Sequence, residues 1–254
     1  MTLLVVLHAE ALKMKRTIAL KMVAIAPLAV GLLILFMASQ APFSFIRRTA
    51  DPWLALLRLN LLVWAVLMMP LFITLETALV AGIDHSENQW KNLFARPVPR
   101  WTWYVAKLLV VMAMTAASTA ILIGGVLLAG RLLPLVQPEL NFSAPIPWAE
   151  MGAQSSGVSA LALLALTIQH WVSLRWRSFS VSTGVGIVAI VASYLMIVMS
   201  RQAGGWMKYF PWALPMLSVG TPRQDLGGVL WISTALAVLV AMAGCLDFCR
   251  REVK

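Results

Sequence analysis

The reactive side chains of this chain are few and far apart. Three histidines (His8, His85 and His170), two cysteines (Cys245 and Cys249) and ten carboxylates are spread over 254 residues. The sequence contains no Walker A phosphate loop, zinc-protease helix, nucleophile elbow or dinucleotide glycine fingerprint. Cys245 and Cys249 stand one helical turn apart with Asp247 between them. That spacing could form a weak metal site, but the plainer reading is two free thiols outside any disulfide framework. Glu76 falls within an apolar block, where an ionisable side chain marks a functional site by default. It lies towards the polar end of its block, and Lys107 opens the next one, so an interfacial Glu76–Lys107 charge pair is the plainer expectation. His170 lies at a comparable depth and reads as a satisfied end-of-span residue. No carboxylate occupies the middle of a block, which argues against a proton-driven carrier or an intramembrane protease.

The elements that must position these residues are apolar helices. Hydrophobic residues make up 61% of the chain and charged residues 12%, against about 45–50% and 25% in soluble domains. The apolar residues gather in blocks at 22–39, 59–82, 104–129, 155–174, 181–199 and 229–246. Each can cross ~30 Å of hydrocarbon as a helix. The expected fold is all-α: a polytopic membrane protein with six transmembrane helices, read as one transmembrane domain over 1–254. The blocks at 59–82 and 104–129 are longer than a crossing needs, so tilt or extension past the hydrocarbon is expected. Most of the 11 tryptophans, including Trp53, Trp148, Trp171, Trp176 and Trp231, fall at block ends, where an amphipathic ring suits the headgroup layer. Trp64 is the main exception.

Residues 1–21 read as an amphipathic interfacial helix. Leu4, Leu7, Ala11, Met14 and Ile18 recur at helical spacing, followed by Lys13, Lys15, Arg16 and Lys21. A signal peptide would carry its charges before its apolar stretch. Ser39-Gln40-Ala41 resembles a weak cleavage site, but the 22–39 block reads as a retained span.

The net charge of +10 would suggest nucleic acid in a soluble protein. Here the cations sit between apolar blocks, as topogenic charges and contacts to membrane lipid, so no nucleic-acid partner is expected. With six spans both termini share one side. That side holds Lys13, Lys15, Arg16, Lys21, Lys91, Arg96, Arg100, Lys107, Arg175, Arg177, Arg250, Arg251 and Lys254, the larger share of the cations. The positive-inside rule makes it cytoplasmic. On the other side, 131–150 carries Pro134, Pro138, Pro145 and Pro147. There too, 204–222 is apolar and aromatic but broken by Pro211 and Pro215, which fits short interfacial or re-entrant pieces.

The longest polar cytoplasmic connection is 83–107, IDHSENQWKNLFARPVPRWTWYVAK. Residues 86–95 form helix, with Trp90, Leu93 and Phe94 as apolar anchors on a polar piece. Pro97 and Pro99 then stop the helix and stiffen its exit. Such a helix can either pass on movement from a soluble partner or merely anchor a loop.

This segment resembles the coupling-helix region of type-2 ABC exporter permeases, closest to the lantibiotic-immunity and bacitracin-resistance subgroup. The resemblance rests on Glu76, Glu87 and Asn88, Trp90 and Lys91, Pro97-Val98-Pro99-Arg100, and Tyr104, Ala106 and Lys107. Glu10, Lys13 and Arg16 resemble the N-terminal Glu-x-x-Lys-x-x-Arg of the same family. Pro211-Trp212-Ala213-Leu214-Pro215 resembles the segment before its last span. The resemblance implies a permease subunit of the bacterial inner membrane that is not itself an enzyme and binds no cofactor. ATP and Mg would be held by a separate ABC ATPase subunit, and a second permease, identical or different, would complete the path. Glu87, Asn88, Trp90, Lys91, Leu93, Phe94, Arg96, Pro97, Pro99 and Arg100 would serve ATPase coupling, and the cargo would be antimicrobial peptides or other amphipathic compounds. Two other readings stand beside it: a stand-alone carrier driven by an ion gradient, and a membrane scaffold or enzyme.

Overall fold

A computed structural model of the chain describes residues 2–40, 51–86, 97–203, 209–219, 221 and 223–251. Among these every regular element is helical, and six helices are long and apolar enough to cross a membrane. An N-terminal helix, Thr2–Met14, precedes them. Span 1 is Ile18–Gln40. Span 2 joins Pro52–Val63, a π-helical turn at Trp64–Met68 and Met69–Ser86. Spans 3 to 6 are Arg100–Val136, Trp148–Arg175, Phe179–Ala203 and Arg223–Arg250.

Each predicted block lies inside one of these helices, and each helix outruns its block. Hydropathy detects only the stretch matched to hydrocarbon, whereas backbone hydrogen bonding continues through the headgroup layer. The predicted outer segment 131–150 narrows accordingly, because span 3 stays helical through Val136 and span 4 begins at Trp148.

Local chemistry sets several boundaries. At the start of span 2, Asp51 Oδ1 accepts the Leu54 N–H at 3.1 Å and Pro52 follows, a side-chain cap with proline in the first turn. Span 3 starts behind Pro99, whose carbonyl accepts the Thr102 hydroxyl at 2.6 Å. Within span 2 the Met69 N–H reaches back to the Trp64 carbonyl. Pro70 follows directly; it lacks an N–H, and its ring would strike the carbonyl four residues earlier in an ideal α-helix. The wider π turn absorbs that conflict.

Span 4 is the most enclosed helix and span 6 the least. Span 4 packs along span 6, span 3 packs along span 1 and the N-terminal helix, and span 2 packs against spans 3, 4 and 5. The shared core includes Ile34, Leu56, Leu61, Trp64, Ile73 and Leu122. Trp64, the tryptophan away from any block end, is fully buried there, and its indole N–H donates to Thr119 Oγ1 at 3.3 Å. Close approach depends on missing side chains. A Cβ on Gly130 would strike the Trp53 ring, and one on Gly244 would strike Tyr104 and Trp171. Small residues at helix contacts serve this purpose in membranes.

One sequence expectation needs correcting. Trp148, Trp176 and Trp231 are exposed near helix ends, but Trp53 is buried. It stacks edge-on against Phe142 and donates to the Ala144 carbonyl at 3.1 Å. The N-terminal helix leaves Leu4 and Ala11 of its stripe exposed, Leu7 half-buried and Met14 buried, and Ile18 opens span 1 exposed. The N-terminal helix also buries Val6 and Glu10 and leaves Val5 exposed. In a chain facing lipid, apolar residues need not turn inward, so a buried carboxylate decides which face packs.

The second segment expected on the outer side, 204–222, is described for 209–219 and at 221. It forms turns and a short helix, Leu214–Leu217, packed on span 4 and on the π-helical turn of span 2. Trp212, Ala213 and Leu214 are buried, and Ser218 Oγ donates to the Gln154 carbonyl at 3.4 Å.

Candidate functional site

Four charged side chains from three elements meet at one end of the bundle. The N-terminal helix supplies Glu10 and Lys13, the end of span 2 supplies Asp84 and the first turns of span 3 supply Lys107. Lys13 Nζ donates to Glu10 Oε1 at 2.6 Å and to Asp84 Oδ1 at 3.0 Å. Lys107 Nζ donates to Glu10 Oε2 at 2.6 Å and pairs with Asp84 Oδ2. The result is a closed ring of alternating sign, in which each carboxylate bridges both ammonium groups. The side chains of Glu10, Asp84 and Lys107 have no exposed area, and that of Lys13 keeps 23%. Lys13 also lies 5.7 Å from the centre of the Trp103 ring, within cation–π range. Burial opposes the charge on Lys13, but the Glu10 and Asp84 carboxylates outweigh it and hold its pKa above the ordinary lysine value.

The ring is neutral as a whole, which is what allows such charges to be buried. An uncompensated ion away from water costs several kcal/mol, and removing one member of a buried set costs about 3–5 kcal/mol. Its place also matters. Asp84 and Lys107 stand at the two feet of the connection between spans 2 and 3, so the ring fastens the N-terminal helix to both.

Around the ring the same end is laced by polar bonds to helix termini. Arg100 Nη1 donates to the Cys249 carbonyl at 3.1 Å and the Arg251 carbonyl at 2.7 Å, and Arg251 Nη1 donates to the Leu174 carbonyl at 2.8 Å. The last carbonyls of a helix have no partner within it, so these guanidinium groups tie the ends of spans 4 and 6 to the start of span 3. Asp247 accepts from the Trp171 indole at 3.0 Å and from Arg251 at 2.6 Å. Its carboxylate is thus engaged by Trp171 and Arg251, and Cys245 and Cys249 are free thiols. His170 Nε2–H donates to the Tyr104 carbonyl at 3.3 Å and its ring meets Tyr104 edge-on. Ser173 Oγ bonds Thr77 Oγ1 at 3.1 Å and Ser182 Oγ at 2.6 Å, joining spans 2, 4 and 5.

The structure does not make the expected Glu76–Lys107 pair. Lys107 is held by Glu10 and Asp84, while Glu76 is fully buried with no hydrogen-bond partner for either carboxylate oxygen among the described residues. Of the expected coupling residues, Pro99 and Arg100 open span 3 and Pro97 is exposed just before it. Glu87, Asn88, Trp90, Lys91, Leu93, Phe94 and Arg96 lie outside the described residues. Sequence reasoning missed Asp84 and the inward role of Glu10. The available signal was charge balance, because two lysines turned inward at one level need two acids, and Asp84 follows the apolar block of span 2 directly.

These features define an integral membrane bundle of six spans with its charged contacts gathered at one end. The profile of the ABC-2 family transporter protein matches residues 6–193, from the N-terminal helix into span 5. The chain belongs to that family and is a membrane component of an ABC transporter. Searches of curated proteins and of solved structures found no match.

Proposed function

We propose that this chain is the permease of an ATP-driven exporter in the bacterial cytoplasmic membrane, expelling antimicrobial peptides or other amphipathic compounds. One observation carries this reading: Glu10, Asp84 and Lys107 converge at the feet of the 87–96 connection, in the position a force-receiving segment requires. The charged end of the bundle faces the cytoplasm, in keeping with its excess of cations. Residues 86–95 dock on the ATPase subunit through Trp90, Leu93 and Phe94, and ATP and Mg are bound on that subunit. A second permease, identical or different, encloses the path. The motif residues from Glu76 to Lys107 support placement in the lantibiotic-immunity and bacitracin-resistance subgroup.

Purification of the chain from native membranes in mild detergent tests this. A stoichiometric chain carrying a P-loop is expected. A clean permease with no such partner would overturn the reading.

A further inference from the structure

The N-terminal helix is not a rigid extension of span 1. Three residues, Lys15, Arg16 and Thr17, separate the two helices. Arg16 adopts a φ of 67°, a left-handed conformation that a non-glycine side chain rarely takes. The Thr17 hydroxyl closes the first helix by donating to the Met14 carbonyl at 2.7 Å, then accepts the Leu20 N–H at 3.3 Å to open the second. The chain is thus jointed here, and span 1 does not dictate the direction of the N-terminal helix.

Direction comes from the charge ring instead. Glu10 and Lys13 are one turn apart on one face of that helix, and they bond to opposite sides of the gap between spans 2 and 3: Glu10 to Lys107, and Lys13 to Asp84. We infer that Glu10 and Lys13 are positioning residues of the coupling apparatus, a two-point tether that makes the N-terminal helix move with the feet of spans 2 and 3. The inference rests on the coupling role proposed above for the 86–95 segment. In this arrangement movement delivered there reaches spans 2 and 3 directly, and reaches span 1 through the tether and the joint at 15–17. The remaining pair, Asp84 with Lys107, joins spans 2 and 3 without the N-terminal helix.

This division makes a clean test possible. Glu10→Gln combined with Lys13→Gln removes one negative and one positive charge. The Asp84–Lys107 pair stays balanced and only the tether is lost. The double variant and the parent are purified with the ATPase partner and placed in lipid nanodiscs. Spin labels are attached at Lys15→Cys and Leu246→Cys in a background with Cys245 and Cys249 changed to serine. In the parent, ATP is expected to shift the distance between the labels. In the double variant hydrolysis is expected to stay within about twofold of the parent while the shift disappears, and the conservative Lys13→Arg variant is expected to keep it. A shift of parental size in the double variant would overturn the tether. If no ATPase accompanies the parent chain, the coupling role itself falls and the inference falls with it. A purely structural ring would lower yield or thermal stability without separating hydrolysis from the shift, and that result would also overturn the proposal.

Discussion

The two ends of this bundle are held together by different physics. At one end, buried charges and guanidinium bonds to helix carbonyls join the N-terminal helix to spans 2, 3, 4 and 6. At the other, Trp53 fills the space beside Gly130, stacks on Phe142 and donates one hydrogen bond to the Ala144 carbonyl. Directional bonds between buried charges are strong only as a complete set, so the charged end resists partial loosening. Shape packing is graded, and gives way according to how much volume is added or removed. In the coupling role proposed above, force enters at one end and a path is reshaped towards the other, and both properties serve it.

Breaking the charged end should have the largest effect. Lys107→Met leaves Glu10 and Asp84 to share Lys13 and should destabilise the fold by about 3–5 kcal/mol, read as a fall in the thermal midpoint in detergent. A midpoint within a degree or two of the parent would show that the ring adds little. At the packed end, Gly130→Val forces the Trp53 ring out of its seat and should cost about 1–3 kcal/mol, with a change in tryptophan emission. An unchanged spectrum would mean that the ring has room to spare.

Glu76 sharpens the contrast, because it is a buried carboxylate outside either arrangement. Glu76→Gln keeps the shape, breaks no native hydrogen bond among the described residues and replaces a buried carboxyl with an amide that is never charged, so the thermal midpoint should not fall below the parent's. If transport collapses while stability holds, Glu76 has a role in ion coupling, and the carrier reading regains weight. The smallest effect concerns pH. Lys13 has a raised pKa in the fold, so the stabilisation it contributes is complete below the unfolded lysine value. It is lost only as pH rises through the higher folded value. Titration from neutral to mildly alkaline pH should therefore leave the Lys13 contribution intact, and Lys13→Gln should abolish any loss specific to strongly alkaline conditions.

The six spans could be read from composition because lipid imposes a long, uninterrupted apolar run on each of them. Their lengths could not, because helices continue into layers where hydropathy is mixed. Partners between helices were harder still. The position of Lys107 along the chain suggested Glu76, but helical period says nothing about the relative height of two neighbouring helices, and the observed height brings Lys107 to Asp84. The N-terminal stripe carries a related ambiguity: an apolar face has no preferred side when one side meets lipid and the other meets protein. Pro99 and Arg100 were found by motif, and their use in starting span 3 and fastening the end of span 6 needed coordinates to see.

The ring also has a consequence for biosynthesis. Glu10 and Lys107 are separated by 97 positions in the chain. At the usual translation speeds of ~5–20 residues per second, Glu10 leaves the ribosome roughly 5–20 s before its partner exists. Until then Glu10 has only Lys13 of its own helix as a charged partner. The ring is therefore completed only once synthesis has reached span 3, and its stabilisation is absent from every shorter nascent chain.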